Sequence, residues 1–199
     1  GVEAAERIFK LVEPDAVFRL FKKDGDIMRN GEIAFEVDAR VHTILQCERL
    51  VLNCMQRMSG IAGLTRLYTE KLQGYHTKVL DTRKTTPNFR LFEKWAVAIG
   101  GGVNHRFALY DMIMLKDNHI DYCGGITKAV EKAWQYVQGK VPGLQIEVET
   151  RSLADVEELV ACGRGKVFRI MLDNFSPDMI AEALPIIGKD FETEASGGI

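Results

Sequence analysis

The sequence predicts an α/β fold, a small α+β unit followed by a parallel-stranded α/β barrel. Three observations carry this. From residue 77 onward, short apolar segments alternate with helical ones, the pattern of a parallel sheet with crossover helices. Those apolar segments are nearly continuous, as strands covered on both faces are. The number of repeats suits a closed barrel better than an open sheet.

Each element follows from local pattern. Ala4, Ala5, Ile8, Phe9 and Val12 fall at helical spacing, so residues 3–12 form a helix, ended by Pro14. AVFRLFK (16–22) reads as a strand. Asp24-Gly25 and Asn30-Gly31 are turn signals. Ile33, Phe35 and Val37 then alternate with Glu36 and Asp38, which predicts a half-buried strand over 32–39. Residues 43–58 form a long helix with Ile44, Cys47, Val51, Cys54, Met55 and Met58 on one face, and Gly60 and Gly63 are expected to loosen it. The alternating part follows: strand 77–82, helix 88–98, strand 112–116, helix 125–138, strand 144–149, helix 152–162, strand 167–173, helix 177–187 and strand 191–195. A boundary near residue 45 divides the chain into a first domain over 1–45 and a barrel domain over 46–199, with the helix at 43–58 as the bridge.

Composition narrows the function classes. Apolar residues make up 46% and charged residues 27%, an ordinary globular balance. The net charge of -2 gives no bulk basic field for nucleic acid. The apolar runs fall well short of a membrane span. GVEAAERIFK at the N-terminus has no apolar signal-peptide core. Cys47, Cys54, Cys123 and Cys162 lack CxxC or Cys/His metal spacing. They are expected to be reduced and mostly buried, which points to the cytoplasm.

The strand ends carry the chemistry. They read KVLDTRK, IMLKDNH, IEVET, IMLDNF and TEASGG. In a barrel such ends share one rim, where active sites lie. The rim would gather Asp81, Arg83, Lys84, Lys116, Asp117, His119, Glu149, Asp173 and Ser196. A single acid after a strand is usually a helix N-cap, and Asp173 alone would be read so. Capping does not ask for Lys84, Lys116 or Glu149. Arg83, Lys84, His105, Arg106 and Lys116 form a basic set, and Glu149 and Asp173 an acidic pair. Such a site suits a polyanion whose charge is partly carried by a divalent metal. Gly197-Gly198 after Ser196 can open a phosphate cradle at a strand-to-helix turn. In GGGVNHRF (100–107) the glycines are most simply a helix stop, and His105-Arg106 a solvated loop pair or a binding pair.

The stretch DTRKTTPNFRLFEKWAVAIGGGVNHRFALYDMIMLKDNHI (81–120) closely resembles the signature of the quinolinate phosphoribosyltransferases, also called carboxylating nicotinate-nucleotide pyrophosphorylases. ERLVLNCMQRMSGIAGLT (48–65), IEVET (146–150), MLDNF (171–175) and EASGGI (194–199) are similar to the family's other blocks, in the same order. The resemblance implies an α/β sandwich domain, of which residues 1–45 are part, joined to an incomplete (β/α) barrel over 46–199. It also implies helices before the first residue here and a further phosphate-binding strand after the last, so the barrel would be truncated at its C-terminus. The implied reaction takes quinolinate and phosphoribosyl pyrophosphate (PRPP) with Mg²⁺ and gives nicotinate mononucleotide, pyrophosphate and carbon dioxide. Arg83 and Lys84 would bind substrate, and His105 and Arg106 would contact the quinolinate carboxylates. Lys116 would meet phosphate or carboxylate. Glu149 and Asp173 would face the ribose and the metal, and Lys84, Glu149 and Asp173 would be catalytic. Ser196, Gly197 and Gly198 would cradle the 5′-phosphate. Arg49 would reach the neighbouring site of a homodimer or a dimer-based oligomer.

Three other readings compete. A related phosphoribosyltransferase or pyrophosphorylase on another ring would need fewer cations than Arg49, Arg83, His105 and Arg106 supply. A Schiff-base aldolase would use Lys84 or Lys116 and leave the arginines unexplained. A non-catalytic phosphate-binding module would bind PRPP without turnover.

Overall fold

The structure is a computed structural model, and it describes residues 1–198. These pack as two units, the first Gly1–Phe107 and the second from Ala108 onward.

In the first unit, α1 (Val2–Val12) lays Ala5 and Phe9 on Cys47 and Val51 of α2 (Val41–Lys71). The strands β1 (Val17–Leu20) and β2 (Phe35–Asp38) pair antiparallel, Val17 opposite Asp38 and Leu20 opposite Phe35. Phe18 joins the hairpin to the helices, with ring centroids 5.5 Å from Phe9 and 5.2 Å from Phe35. The next helix, α3 (Arg90–Ile99), buries Ala96 with Met58 of α2 and Ala4 of α1.

Two expectations in this unit need correction. The second helix does not loosen at Gly60 and Gly63 but runs unbroken for 31 residues. Each helical glycine costs about 1 kcal/mol relative to alanine. The far turns offset that by packing on α3: Gly100 sits so close that a Cβ there would lie 2.5 Å from the Ala62 carbonyl and 2.7 Å from Thr65 Cβ. The strand expected at 77–82 is reduced to a single bridge between Leu80 and Val103. Its partner segment offers little extended backbone, because Gly101 turns the chain at φ +91° directly before it.

The second unit matches the strand-helix alternation. Its elements are β3 (Ile113–Leu115), α4 (Asp117–Cys123), α5 (Ile126–Lys140), β4 (Ile146–Thr150), α6 (Leu153–Gly163), β5 (Arg169–Asp173), α7 (Pro177–Ile187) and β6 (Glu192–Ser196). The four strands form one parallel sheet in the order β3-β4-β5-β6. The short α4 has no sequence counterpart above. Ile146, Val148, Ile170 and Leu172 on one sheet face pack against Val130 and Val137 of α5, Val156 and Leu159 of α6, and Ala183 and Ile187 of α7. Each of those residues is almost wholly removed from water.

All four cysteines are free thiols; Cys47 and Cys54 are buried, Cys123 and Cys162 half-buried. Burial pushes the thiols of Cys47, Cys54 and Cys162 up, which favours the protonated form. Among the described residues no helix is long and apolar enough to cross a membrane.

Candidate active site

Strand alternation sorts the second unit's sheet into an apolar and a polar face. Glu147 on β4 is level with Arg169 on β5, which is level with Glu192 on β6. Two residues on, Glu149 is level with Met171 and Glu194, and at the end Asp173 is level with Ser196. The helices cover the opposite face, so every charge of these strands is directed to one side.

At the strand ends, Glu149 is buried and its Oε2 lies 3.5 Å from Lys116 Nζ, the residue after β3. A buried carboxylate facing a half-exposed ammonium can present both signs to a ligand from neighbouring strands. Asp173 ends β5 half-buried, and its Oδ2 accepts a 2.7 Å hydrogen bond from Asn174 Nδ2. Asn174 takes φ +55°, and its backbone N–H donates to the Ser196 carbonyl at 2.7 Å, tying β5 to β6. Gly197 follows at φ +87°, where a Cβ would strike Asn174 Oδ1 at 2.1 Å; Gly198 takes φ +70°. Asp173, Ser196 and Gly197 are therefore drawn to one end of the sheet, with Glu149 and Lys116 at the ends of the two preceding strands.

Helix capping does not account for these acids. The Ser152 hydroxyl caps α6 by accepting from the Asp155 N–H, and Ser176 caps α7 by accepting from the Met179 N–H. The expected rim residue His119 is a local brace, its Nδ1 accepting the Lys116 N–H at 2.9 Å at the start of α4. Asp117 opens α4, and its Oδ1 accepts the Asn118 N–H.

Lower on the same face, Arg169 reaches Glu147 Oε2 at 3.5 Å, Glu194 Oε2 at 3.2 Å and Glu192 Oε2 at 2.8 Å. Glu147 is completely buried and the Arg169 side chain is 13% exposed. Sequence reasoning left Glu147, Arg169 and Glu194 without a role. The signal existed: in IEVET and RIMLD the two-residue period places Glu147 with Glu149, and Arg169 with Asp173.

The basic set of the first unit is built on α3. Arg83 is half-buried and Lys84 exposed. Arg90 of α3 donates to the Arg83 carbonyl at 3.3 Å, to Thr85 Oγ1 at 3.2 Å and to the Phe107 carbonyl at 3.1 Å. His105 and Arg106 are half-buried in the loop that follows, and the Arg106 N–H donates to His105 Nδ1 at 2.7 Å. Asp81 is not an open rim residue: its carboxylate is buried against Lys94 and accepts the His105 N–H at 2.8 Å. Arg49 projects from α2 with its side chain 84% exposed, 3.7 Å from Glu48.

Parallel strands with mixed charges at their ends define an α/β protein of the strand-end-site class. The chain belongs to the quinolinate phosphoribosyl transferase family. The model of that family's C-terminal domain matches residues 61–199, and that of its N-terminal domain matches residues 1–59. A relative described as carboxylating, chloroplastic nicotinate-nucleotide pyrophosphorylase, from Arabidopsis thaliana, is 43% identical over 100% of this chain and 60% of its own length. The probable nicotinate-nucleotide pyrophosphorylase of Bacillus subtilis is 44% identical over 100% of this chain and 67% of its own. The NadC structure from Streptococcus pyogenes superimposes with a TM-score of 0.91 at 45% identity, covering 100% of this chain and 68% of that one. The chain thus spans about 60% of the length of the plant relatives it matches.

Proposed function

We propose that the protein transfers the phosphoribosyl group of PRPP to quinolinate and releases carbon dioxide, as a step of pyridine nucleotide biosynthesis. The observation that carries this reading is the buried Glu149 facing Lys116 on strand ends, in a chain of this family. Quinolinate is a dianion, and Arg83, Lys84, His105 and Arg106 supply the cations to hold it. Arginine meets a carboxylate in bidentate fashion and lysine as a point charge. The anomeric carbon gains positive charge as pyrophosphate leaves, and the Glu149 and Asp173 carboxylates stabilise it. Lys116 faces the departing phosphates. The pyridine nitrogen attacks the anomeric carbon, loss of carbon dioxide leaves the electron pair on the ring carbon beside the quaternised nitrogen, and a proton from water takes the place of the carboxylate. Ser196, Gly197 and Gly198 receive the 5′-phosphate in a glycine turn at the end of β6.

The hard carboxylate oxygens of Glu149 and Asp173 fit Mg²⁺ held partly through water. When bound, the ion supplies neutralisation of the pyrophosphate charge. The proposal extends to a homodimer in which Arg49 reaches the second copy's site, to a cytoplasmic location, and to a division at residue 45 into sandwich and barrel domains with α2 bridging them.

The test is carbon dioxide release from carboxyl-labelled quinolinate with Mg²⁺ and PRPP, against turnover of nicotinate. Release from quinolinate alone is expected. Lys84→Ala should lower kcat/KM about 100-fold or more, a loss of roughly 3 kcal/mol in transition-state binding. Full activity in that variant would remove Lys84 from the site.

A further inference from the structure

We infer that Asp81 and Lys94 form a buried positioning clamp that fixes the Arg83-Lys84 segment and the His105-Arg106 loop relative to each other. The side chains of Lys94 and Asp81 are only 4% and 6% exposed, and they are ion-paired. The same Asp81 Oδ1 accepts the His105 backbone N–H at 2.8 Å. With its amide oriented to satisfy its neighbours, Asn104 donates to Asp81 Oδ2 at 2.6 Å and to the Lys94 carbonyl at 2.8 Å. One carboxylate thus ties together the start of the first basic segment, helix α3 and the loop of the second.

Neighbouring residues of the helix repeat the grip. Arg90, one turn before Lys94, holds the Arg83 and Phe107 carbonyls, one on each segment. Glu93 accepts from Thr86 Oγ1 at 2.8 Å and is itself held by Arg57 of α2 at 2.8 Å. Helix α3 is therefore the common anchor, and Asp81–Lys94 is its most buried link. A buried ion pair adds little net stability over well-packed apolar residues of similar size, because desolvating two charges offsets their attraction. What apolar residues cannot supply is the acceptor for His105 N–H and Asn104. The clamp's contribution is thus geometric: displacing binding groups by about 1 Å can cost on the order of 100-fold. Asp81 and Lys94 are positioning residues and touch no substrate.

The purpose assigned to the clamp rests on the proposed function; its existence does not. Lys94→Met should weaken quinolinate binding about 10- to 100-fold and leave Mg²⁺–PRPP binding within about twofold. Removing one partner of a buried pair also endangers folding, so the second variant is Asp81→Leu/Lys94→Met. This apolar pair should recover much of the melting temperature lost in Lys94→Met, short of the wild type because the His105 N–H and Asn104 lack their acceptor, while quinolinate binding stays weak. A merely structural role predicts that both recover, and wild-type quinolinate affinity in the double variant would overturn the proposal. Amide-resolved hydrogen exchange gives a readout independent of activity. The His105 N–H should exchange at least about 10-fold faster in Lys94→Met, with α3 protection unchanged. Unchanged His105 protection would also overturn it. If the wild-type protein neither binds quinolinate nor releases carbon dioxide, the functional reading fails and the exchange measurement alone decides the clamp.

Discussion

Glu93 shows how a single residue can couple stability to pH. Burial alone pushes its carboxyl up, but hydrogen bonds from Arg57 and Thr86 outweigh this and hold it below the ordinary value of 4.5. A group depressed in the folded state stabilises fully above its unfolded pKa and loses that contribution as pH falls through the folded value. The urea midpoint of the wild type should therefore exceed that of Glu93→Gln at pH 7, and the gap should shrink below about pH 4.5. Gly197 makes a different kind of single-residue case. Its φ of +87° and the 2.1 Å approach of Asn174 Oδ1 leave no room for a methyl group. Gly197→Ala should cost about 1–3 kcal/mol of stability and weaken PRPP binding more than quinolinate binding, as separate titrations would resolve.

The seam between α2 and α3 is tight at Gly100, which sits against Ala62 and Thr65. Gly100→Ala must push the Ala62 backbone or Thr65 aside, which should lower stability by about 1–3 kcal/mol in thermal unfolding. This seam also explains where element-level reading worked and where it did not. Helices α6 and α7 were legible because Ser152 and Ser176 mark their starts and apolar positions recur at helical spacing behind them. Helix α2 runs past Gly60 and Gly63 because packing on α3 overrides the low helix propensity of glycine. Helix α4, DNHIDYC, carries almost no apolar periodicity and so leaves no helical signal in the sequence. The segment at 77–82 has a strand's composition, but a strand needs a partner ladder, and the glycine turn at 100–102 leaves room for a single bridge.

For the whole molecule, the proposed dimer carries its own test. If Arg49 of one copy completes the site of the other, Arg49→Ala and Lys84→Ala are each inactive alone. Random mixing of the two should restore about a quarter of wild-type activity, because half the dimers are mixed and one of their two sites is intact. No recovery after verified subunit exchange would place Arg49 outside the neighbouring site.

Sequence alone determined the strand-helix alternation, the sorting of Glu149, Asp173 and Lys116 to strand ends, and the family through DTRK, NHR and KDNH. Those properties are local: side-chain period, turn residues and short motifs. Only the tertiary structure decided that Asp81 turns inward onto Lys94, and that Arg169 gathers Glu147, Glu192 and Glu194. Sequence could not decide these because each joins residues from separate elements, and such partnerships are set by sheet register and helix packing.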